Sequence, residues 1–203
     1  MGSRGAVLDY GCGSGRWAPY FSELGYDYRC VDLAEEMVRL ARGTSQAYKF
    51  DVLPASGRLP WGSGAFSLVC SLAVLHHNPL DDQMGILEEL VRVLAPAGHL
   101  ILLESVADPD PANPVEFGRP RDEWIAILQG LGLEFVWWEG GRYFLPHTLL
   151  NRFEDRFGWK QRVTPRTRPR RWALRAGRWT DPMLGAFLPE HFHRRVVMLF
   201  RKG

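Results

Sequence analysis

The sequence predicts an α/β protein in which a mostly parallel, doubly wound sheet carries helices on both of its faces. Short apolar runs alternate with helix-like segments from residue 6 to about residue 140. Strands separated by helices form βαβ units, and such units give a parallel sheet with both faces covered. The chain has 203 residues and is 46% hydrophobic, which is enough for one well-packed domain. We therefore expect residues 1–203 to form a single domain.

The first half of the chain supplies three short strands, two helices and a connector. The strands are predicted at residues 6–8, 28–31 and 47–50, the helices at 17–24 and 32–42, and the connector at 54–64. The connector is rich in Pro and Gly, which is typical of a loop. The stretch Asp32-Leu33-Ala34-Glu35 has the form of a capping box, so Asp32 is expected to cap the second helix.

The second half begins with a strongly apolar run, which we predict to be the fourth strand. Apolar residues then recur at helical spacing as far as Leu94, and Pro96-Ala97-Gly98 breaks that helix. The strands of this half are predicted at residues 66–72, 99–103, 133–138 and 194–200, and the helices at 81–94 and 121–131.

The segment that precedes the last strand has a different composition. Residues 142–180 contain eleven Lys or Arg against Glu154, Asp155 and, just beyond, Asp181, and aromatic residues are interleaved among them. One interpretation is a basic, aromatic-rich insertion at 142–193 that serves as a substrate lid with a solvated cationic face. The other is a surface that binds phosphates and stacks bases.

The cysteines and the apolar runs bear on location. Cys12, Cys30 and Cys70 lack the spacing of a metal site or a disulfide framework. No basic-then-apolar leader is evident, and no apolar run approaches the roughly 20 residues that span a bilayer. We therefore expect a cytoplasmic protein with no metal and no membrane contact. The net charge of +2 favours no class of partner, and no pattern indicates an oligomeric state.

A glycine-rich loop carries the first sign of a ligand. Gly11, Gly13 and Gly15 lie between a strand and a helix, where the backbone can approach a ligand closely. Their spacing is G-x-G-x-G rather than the G-x-G-x-x-G of a dinucleotide site. Asp9 precedes the loop, and a carboxylate there suits an ammonium better than a pyrophosphate. Asp32 ends the second strand and can accept hydrogen bonds from ribose hydroxyls, so the pattern favours a nucleoside that carries an amino acid.

Five segments, in their order along the chain, resemble the class I S-adenosylmethionine-dependent methyltransferases, which have a Rossmann-like fold. The resemblance runs from residue 6 to about residue 139 and resumes in the last strand. The segments are Val7-Leu8-Asp9-Tyr10-Gly11-Cys12-Gly13-Ser14-Gly15, Val31-Asp32-Leu33 with Glu36-Met37, Leu59-Pro60-Trp61, Val74-Leu75-His76-His77 and Arg92-Val93-Leu94-Ala95-Pro96-Ala97-Gly98.

This resemblance implies a sheet of seven strands with the last one antiparallel, and a cofactor at the carboxyl ends of strands one to four. The cofactor would be S-adenosyl-L-methionine, and the product S-adenosyl-L-homocysteine. The implied cofactor residues are Asp9, Gly11, Cys12, Gly13 and Gly15 for the methionine part, Asp32 for the ribose with Leu33 beside it, Asp51 and Val52 for the adenine, and Ser71 and Leu72 near the sulfonium.

The chain departs from the usual pattern of the family at a turn that does not touch the cofactor directly and, most of all, at its front. Family members often have a Pro-Gly-Gly turn where this chain has Pro96-Ala97-Gly98. They also usually carry one or two helices before the first strand, whereas about five residues precede it here. Either a preceding part of the protein lies outside this chain, or the insertion at 142–193 supplies the lid.

The acceptor side is less specified. His76 and His77 follow the fourth strand, and an imidazole titrates near neutral pH, as a general base requires. A structural role for this pair is the alternative, and Glu104 is a second candidate base. The leading hypothesis is methyl transfer to O or N of a small-molecule acceptor, anionic ones included. The alternatives are an RNA methyltransferase that uses residues 142–180 and a non-catalytic, cofactor-binding partner subunit.

Overall fold

The computed structural model describes residues 5–44, 48–106, 116–140 and 195–203. The chain divides into two compact units, residues 1–139 with 195–203 and residues 140–194. Apart from Gly140, the second unit lies outside the described residues. The predicted insertion at 142–193 and its basic segment therefore lie outside them as well.

The described residues form seven strands and four helices. The strands are β1 (Ala6–Tyr10), β2 (Asp27–Asp32), β3 (Lys49–Val52), β4 (Phe66–Leu72), β5 (Leu94–Ser105), β6 (Leu133–Gly140) and β7 (Arg195–Lys202). The helices are α1 (Ala18–Glu23), α2 (Glu35–Thr44), α3 (Leu80–Val93) and α4 (Arg121–Gly130), and a 3₁₀ turn spans Leu75–His77. Every strand and helix predicted from the sequence is present, with ends that differ by a few residues.

All seven strands belong to one sheet, in the order β3-β2-β1-β4-β5-β7-β6. The pairs β1–β2, β1–β4, β2–β3 and β4–β5 are parallel. β7 pairs with β5 in the antiparallel sense, with Leu102 opposite Met198. The prediction of a mostly parallel sheet of seven strands with an antiparallel last strand is confirmed.

One apolar layer covers each face of the sheet. α1 and α2 contribute Phe21 and Val38 to the layer on the first face. α3 and α4 contribute Leu87 and Trp124 to the layer on the second face. Side chains of a strand alternate between faces, so β1 serves both layers, with Val7 in the first and Leu8 in the second. Both faces are therefore buried, which explains why the strands read as continuous apolar runs.

The site is positioned by the strand order. β1 and β4 are neighbours, yet the chain leaves β1 for α1 on the first face and leaves β4 for α3 on the second. A crevice opens outside the carboxyl ends of two such strands, and ligands of doubly wound sheets bind there. The glycine loop follows β1, and the β4 turn, residues 73–78, follows β4. Both therefore border the crevice.

The connector between β3 and β4 is fastened to α3. Glu89 Oε2 accepts a hydrogen bond from Leu59 N at 2.9 Å, and Arg92 donates to the carbonyl oxygens of Trp61 at 2.9 Å and of Leu59 at 3.2 Å. Glu89 and Arg92 also pair with each other at 2.8 Å. These bonds satisfy the backbone of a segment that has no strand or helix of its own.

β5 begins at Leu94, earlier than predicted, because Leu94 pairs with Phe66 ahead of an irregularity in the β4–β5 register. The turn signal at Pro96-Ala97-Gly98 hid this extension. Ala97 takes a left-handed backbone conformation with φ of +58°. Gly98 is buried, and a Cβ there would lie 2.8 Å from Ala95 O. The strand continues through this kink rather than starting after it. None of the helices in the described ranges is long and apolar enough to cross a membrane.

Candidate functional site

The glycine loop uses its three glycines for two different reasons. All three have positive φ, of +72° at Gly11, +55° at Gly13 and +73° at Gly15. A Cβ on Gly11 would lie 2.4 Å from Val74 Cγ2, and one on Gly15 would lie 2.4 Å from Phe50 Cε1. A Cβ on Gly13 would have nothing nearer than a methionine methyl at 3.5 Å. The loop is therefore packed at both ends and open at Gly13, where a ligand can approach the backbone.

The loop is also pinned to the end of β2. Gly11 N and Cys12 N both donate to Val31 O, at 2.8 and 3.1 Å. The side chain of Cys12 is buried, and contact with Cys30 together with burial raises the pKa of its thiol. A thiol held protonated in this way is a poor nucleophile. The thiol of Cys12 is therefore not expected to react, and any contact of Cys12 with a ligand would come from its backbone.

Asp32 joins the glycine loop to the turn that precedes α2. Its Oδ2 accepts a hydrogen bond from Gly13 N at 2.7 Å, and its Oδ1 accepts one from Ala34 N at 2.9 Å. Val38 N donates to Ala34 O, so the helix opens at Ala34 and the predicted capping box with Glu35 is wrong. The carboxylate is drawn to the loop and to an Asx turn instead. Each oxygen keeps a second lone pair, so Asp32 can still accept bonds from a ligand.

Two large apolar side chains stand exposed beside Asp32. Leu33 is 69% exposed and Val52 is 39% exposed. Val52 is the register partner of Asp32 across the β2–β3 pair, and Asp51 precedes it, half-buried. Exposed apolar residues at adjacent strand ends form a surface on which a flat apolar group can lie. The predicted adenine contacts of these residues stay a prediction.

Asp9 is buried beneath the loop, with 1% of its surface exposed. Its Oδ2 accepts a hydrogen bond from the hydroxyl of Tyr28 at 2.6 Å. Burial raises the pKa of Asp9 to about 6, although the Tyr28 hydroxyl and the Arg16 charge oppose this shift. A cation beside the carboxylate would favour its ionised form further.

On the other side of the crevice, the carboxylate of Glu104 accepts hydrogen bonds from the backbone of the β4 turn. Its Oε1 accepts from Leu75 N at 3.1 Å and from Val74 N at 3.3 Å, and its Oε2 accepts from His76 N at 3.1 Å. The Ser71 hydroxyl lies 3.5 Å from Oε1. Ser71 is thus buried and turned towards Glu104, whereas its neighbour Leu72 is half-buried.

The two histidines have different surroundings. His76 is fully buried, and its Nδ1 lies 2.5 Å from Glu104 Oε2. His77 is exposed, and its ring centroid lies 4.2 Å from that of His76. Their position after β4, which the sequence predicts, brings them to the crevice. The carboxylate of Glu104 holds the ring of His76.

A comparison with known families finds a match for part of the chain. Residues 8–102, just under half of it, match the model of a family described as a methyltransferase domain. The predicted resemblance to the class I S-adenosylmethionine-dependent methyltransferases is confirmed by this match, and the cofactor of that class is S-adenosyl-L-methionine.

Methyltransferases are also the curated proteins to which the chain is similar. It is 32% identical over 142 residues to the uncharacterized methyltransferase YodH of Bacillus subtilis, covering 63% of this chain and 59% of that protein. It is 30% identical over 148 residues to the 27-O-demethylrifamycin SV methyltransferase of Amycolatopsis mediterranei, covering 63% and 53%. The chain thus spans little more than half the length of these methyltransferases.

A solved structure with the same fold is that of the [4+2]-cyclase SpnF, at 22% identity and a TM-score of 0.67. The alignment covers 100% of this chain and 76% of that one. This likeness shows the methyltransferase fold alone.

Sequence reasoning missed two contacts of this site. The contact between Glu104 and His76 joins residues that lie 28 positions apart, and that between Val74 and Gly11 joins the two loops of the crevice. A pattern could place Glu104 at a strand end and Val74 in the β4 turn. It could not show which groups face each other, because that depends on the register between β4 and β5 and on the order of β1 and β4.

Proposed function

We propose that this chain transfers a methyl group from S-adenosyl-L-methionine to an oxygen or a nitrogen of a small-molecule acceptor. The observation that carries the proposal is the glycine loop, open at Gly13 and bonded there to the Asp32 carboxylate. The similarity to a methyltransferase named for 27-O-demethylrifamycin SV supports a small-molecule acceptor. No observation on the described residues favours RNA, since the basic segment lies outside them.

The residues predicted for the cofactor suit its parts in their chemistry. Asp32 offers carboxylate oxygens to ribose hydroxyls, and the exposed side chains of Leu33 and Val52 offer apolar surface to an adenine. Asp9 offers a buried carboxylate to an ammonium. The remaining members of the proposed set are Gly11, Cys12, Gly13, Gly15, Asp51, Ser71 and Leu72.

When bound, the cofactor supplies an electrophilic methyl group on a sulfonium. The chain's own contribution is alignment, because an in-line displacement depends on holding the two reacting atoms in near-attack geometry. The glycine loop and the β4 turn follow the neighbouring strands β1 and β4, so they would hold donor and acceptor on opposite sides of the crevice. Exclusion of water from that crevice protects the transfer.

The direct test measures S-adenosylhomocysteine release over a panel of small metabolites and RNA, with calorimetric binding of S-adenosylhomocysteine beside it. Turnover with a small molecule is the expected result. Turnover with RNA alone would move the activity to the alternative class. Binding with no turnover would indicate a partner subunit or another chemistry on the same fold, such as that of the [4+2]-cyclase. No binding at all would end the proposal.

Asp32→Ala should weaken binding of S-adenosylhomocysteine by about 10- to 100-fold, since it removes hydrogen bonds to a charged acceptor. Glu35→Ala is the matched control, because it removes an exposed carboxylate at the start of α2 and should leave affinity unchanged. Calorimetry on both variants makes the comparison. Equal affinities of the two variants would mean that Asp32 has only a structural role, through its Asx turn and its hydrogen bond to the glycine loop.

A further inference from the structure

Hydrogen-bond donors of the β4 turn surround the side chain of Glu104. Three backbone N–H groups of the β4 turn point at its two oxygens, and the Ser71 hydroxyl lies within reach. An ionised carboxylate only accepts hydrogen bonds, so it can satisfy all of these donors together. A protonated carboxyl would carry a hydrogen of its own, which would face one of these donors and leave it without an acceptor. The contact set therefore suits a carboxylate.

That carboxylate fixes which ring nitrogen of His76 carries hydrogen. Nδ1 lies 2.5 Å from Glu104 Oε2 and 3.4 Å from Ser105 N. Nδ1–H donating to a carboxylate makes a short, charge-assisted bond, whereas the longer contact would need Nδ1 as acceptor. The short contact decides the tautomer, since one nitrogen cannot serve both partners. Nε2 is then left with a lone pair.

Within the described part of the chain, His76 Nε2 has no hydrogen-bond partner. Among the described residues, it and Trp17 Nε1 are the buried side-chain nitrogens or oxygens without a hydrogen bond. Neighbouring buried polar groups are satisfied: Gln83, for example, donates to the carbonyl oxygens of Asn78 and Phe117, each at 2.9 Å. A buried acceptor without a hydrogen bond, in a network whose other members have theirs, is an exception that a bound ligand would explain.

We propose that His76 Nε2 takes the proton of the acceptor group during methyl transfer, and that Glu104 is the positioning residue that orients the ring in the tautomer whose Nε2 carries the lone pair. This inference rests on the proposed function. As the acceptor lone pair forms its bond to the methyl carbon, the C–S bond breaks and its electrons return to sulfur. The O–H or N–H proton of the acceptor passes to Nε2, and Glu104 stabilises the imidazolium that results.

The arrangement also separates the roles of the two histidines. His77 is exposed, and its ring centroid lies 4.2 Å from that of the buried His76. His76 carries a defined tautomer because its other nitrogen is bonded, which is how base histidines are oriented elsewhere. Since Nε2 is buried, the acceptor must open the crevice to reach it, as happens when loops adjust to substrate.

The tautomer is measured on the full chain labelled with ¹⁵N-histidine, by two-bond ¹H–¹⁵N correlation spectra at neutral pH. The expected result is His76 with hydrogen on Nδ1 alone. Hydrogen on Nε2 would overturn the proposal. Glu104→Gln should shift His76 towards the other tautomer, and an unchanged spectrum would remove Glu104 from its role. These readings need no acceptor, so they stand apart from the proposed function.

The proton transfer is tested with the acceptor that gives the highest turnover in the panel. His76→Gln should lower kcat by 10²- to 10⁴-fold while S-adenosylhomocysteine affinity stays within about twofold, since the residue does not hold the cofactor. His99→Gln is the matched control, as His99 lies on β5 towards the edge of the sheet opposite the crevice. Unchanged kcat in His76→Gln would overturn the proposal.

If His76→Gln fails to fold in a thermal-unfolding check, Glu104→Gln takes its place, and an unchanged kcat there is equally decisive against the inference. Loss of turnover together with the expected tautomer would support it. A wild-type chain without turnover on any acceptor would instead refute the proposed function, and the proton-acceptor role with it.

Discussion

Asp9 is a carboxyl group whose proton depends on folding. Burial raises its pKa from 3.8 to about 6. Between these pH values the folded chain holds a proton that the unfolded chain has lost. Folding stability contributed by this group is therefore highest at low pH and falls as pH rises through the folded pKa. The same burial makes the ionised form responsive to a neighbouring cation.

Asp9→Asn should remove that fall. Relative to the wild type, the variant should gain roughly 3 kcal/mol of unfolding free energy between about pH 4 and pH 7, an order-of-magnitude figure from the linkage of pKa to stability. Urea unfolding at several pH values measures it. Tyr28→Phe removes a hydroxyl that lowers the pKa of Asp9, so its stability should fall more steeply with pH than that of the wild type. A constant difference between Asp9→Asn and wild type would contradict the assignment.

At the scale of elements, the contact of the glycine loop with the β4 turn distinguishes two glycines of the same loop, Gly11 and Gly13. Gly13→Ala should cost only the left-handed backbone term, about 1–2 kcal/mol. Gly11→Ala should cost about 1–3 kcal/mol more, because its Cβ would overlap the stiff, β-branched side chain of Val74.

A double-mutant cycle isolates this overlap. Val74→Ala should recover most of the extra cost of Gly11→Ala and none of the cost of Gly13→Ala. Unfolding free energies of the single and double variants give the coupling. Equal costs at the two glycines would mean that the loops do not meet.

The kink in β5 gives a second element-scale prediction. Ala97 and Ala73 are the described non-glycine residues with positive φ. Ala97→Gly should raise the unfolding free energy by about 0.5–1 kcal/mol, since glycine has no Cβ penalty in that conformation. Ala55→Gly, at an exposed site without positive φ, should lower it instead. Thermal unfolding of both variants compares the two, and stabilisation by both would point to a cause other than φ.

The elements of the fold were predictable because both faces of the sheet are buried. Each strand is then an apolar run between turn signals, and β4 was predicted with its observed ends, residues 66–72. The start of β5 was not, because Pro96-Ala97-Gly98 signals a turn even where strand pairing continues through it. The N-cap of α2 was missed because the carboxylate of Asp32 is shared with Gly13, which only the packed loop brings near.

The residues of the candidate site were also predictable only in part. Asp9, the glycines and Asp32 lie within short segments, so spacing alone could single them out. The partner of His76 lies on β5 and that of Gly11 lies in the β4 turn, and nothing local in the sequence identifies them. The resemblance to a family adds the order of the segments along the chain. It does not predict that Glu104 accepts hydrogen bonds from the β4 turn.

On the scale of the whole molecule, the sheet order keeps two helical layers on opposite sides of a single crevice. α1 and α2 support the loops that would bind the donor, whereas α3 supports the turn that carries His76. Each layer has its own apolar cluster, and the two sides of the crevice meet where Val74 approaches Gly11 and where β1 pairs with β4.

The contact between Val74 and Gly11 has a thermodynamic consequence. Any ligand that shifts the β4 turn presses on, or releases, the backbone of the glycine loop, and the effect must be reciprocal. We expect the affinities for donor and acceptor to be coupled through this pair. A substitution at Val74 that widens the range of acceptors would therefore change the affinity for the donor as well. Acceptor specificity and donor affinity cannot change independently at that position.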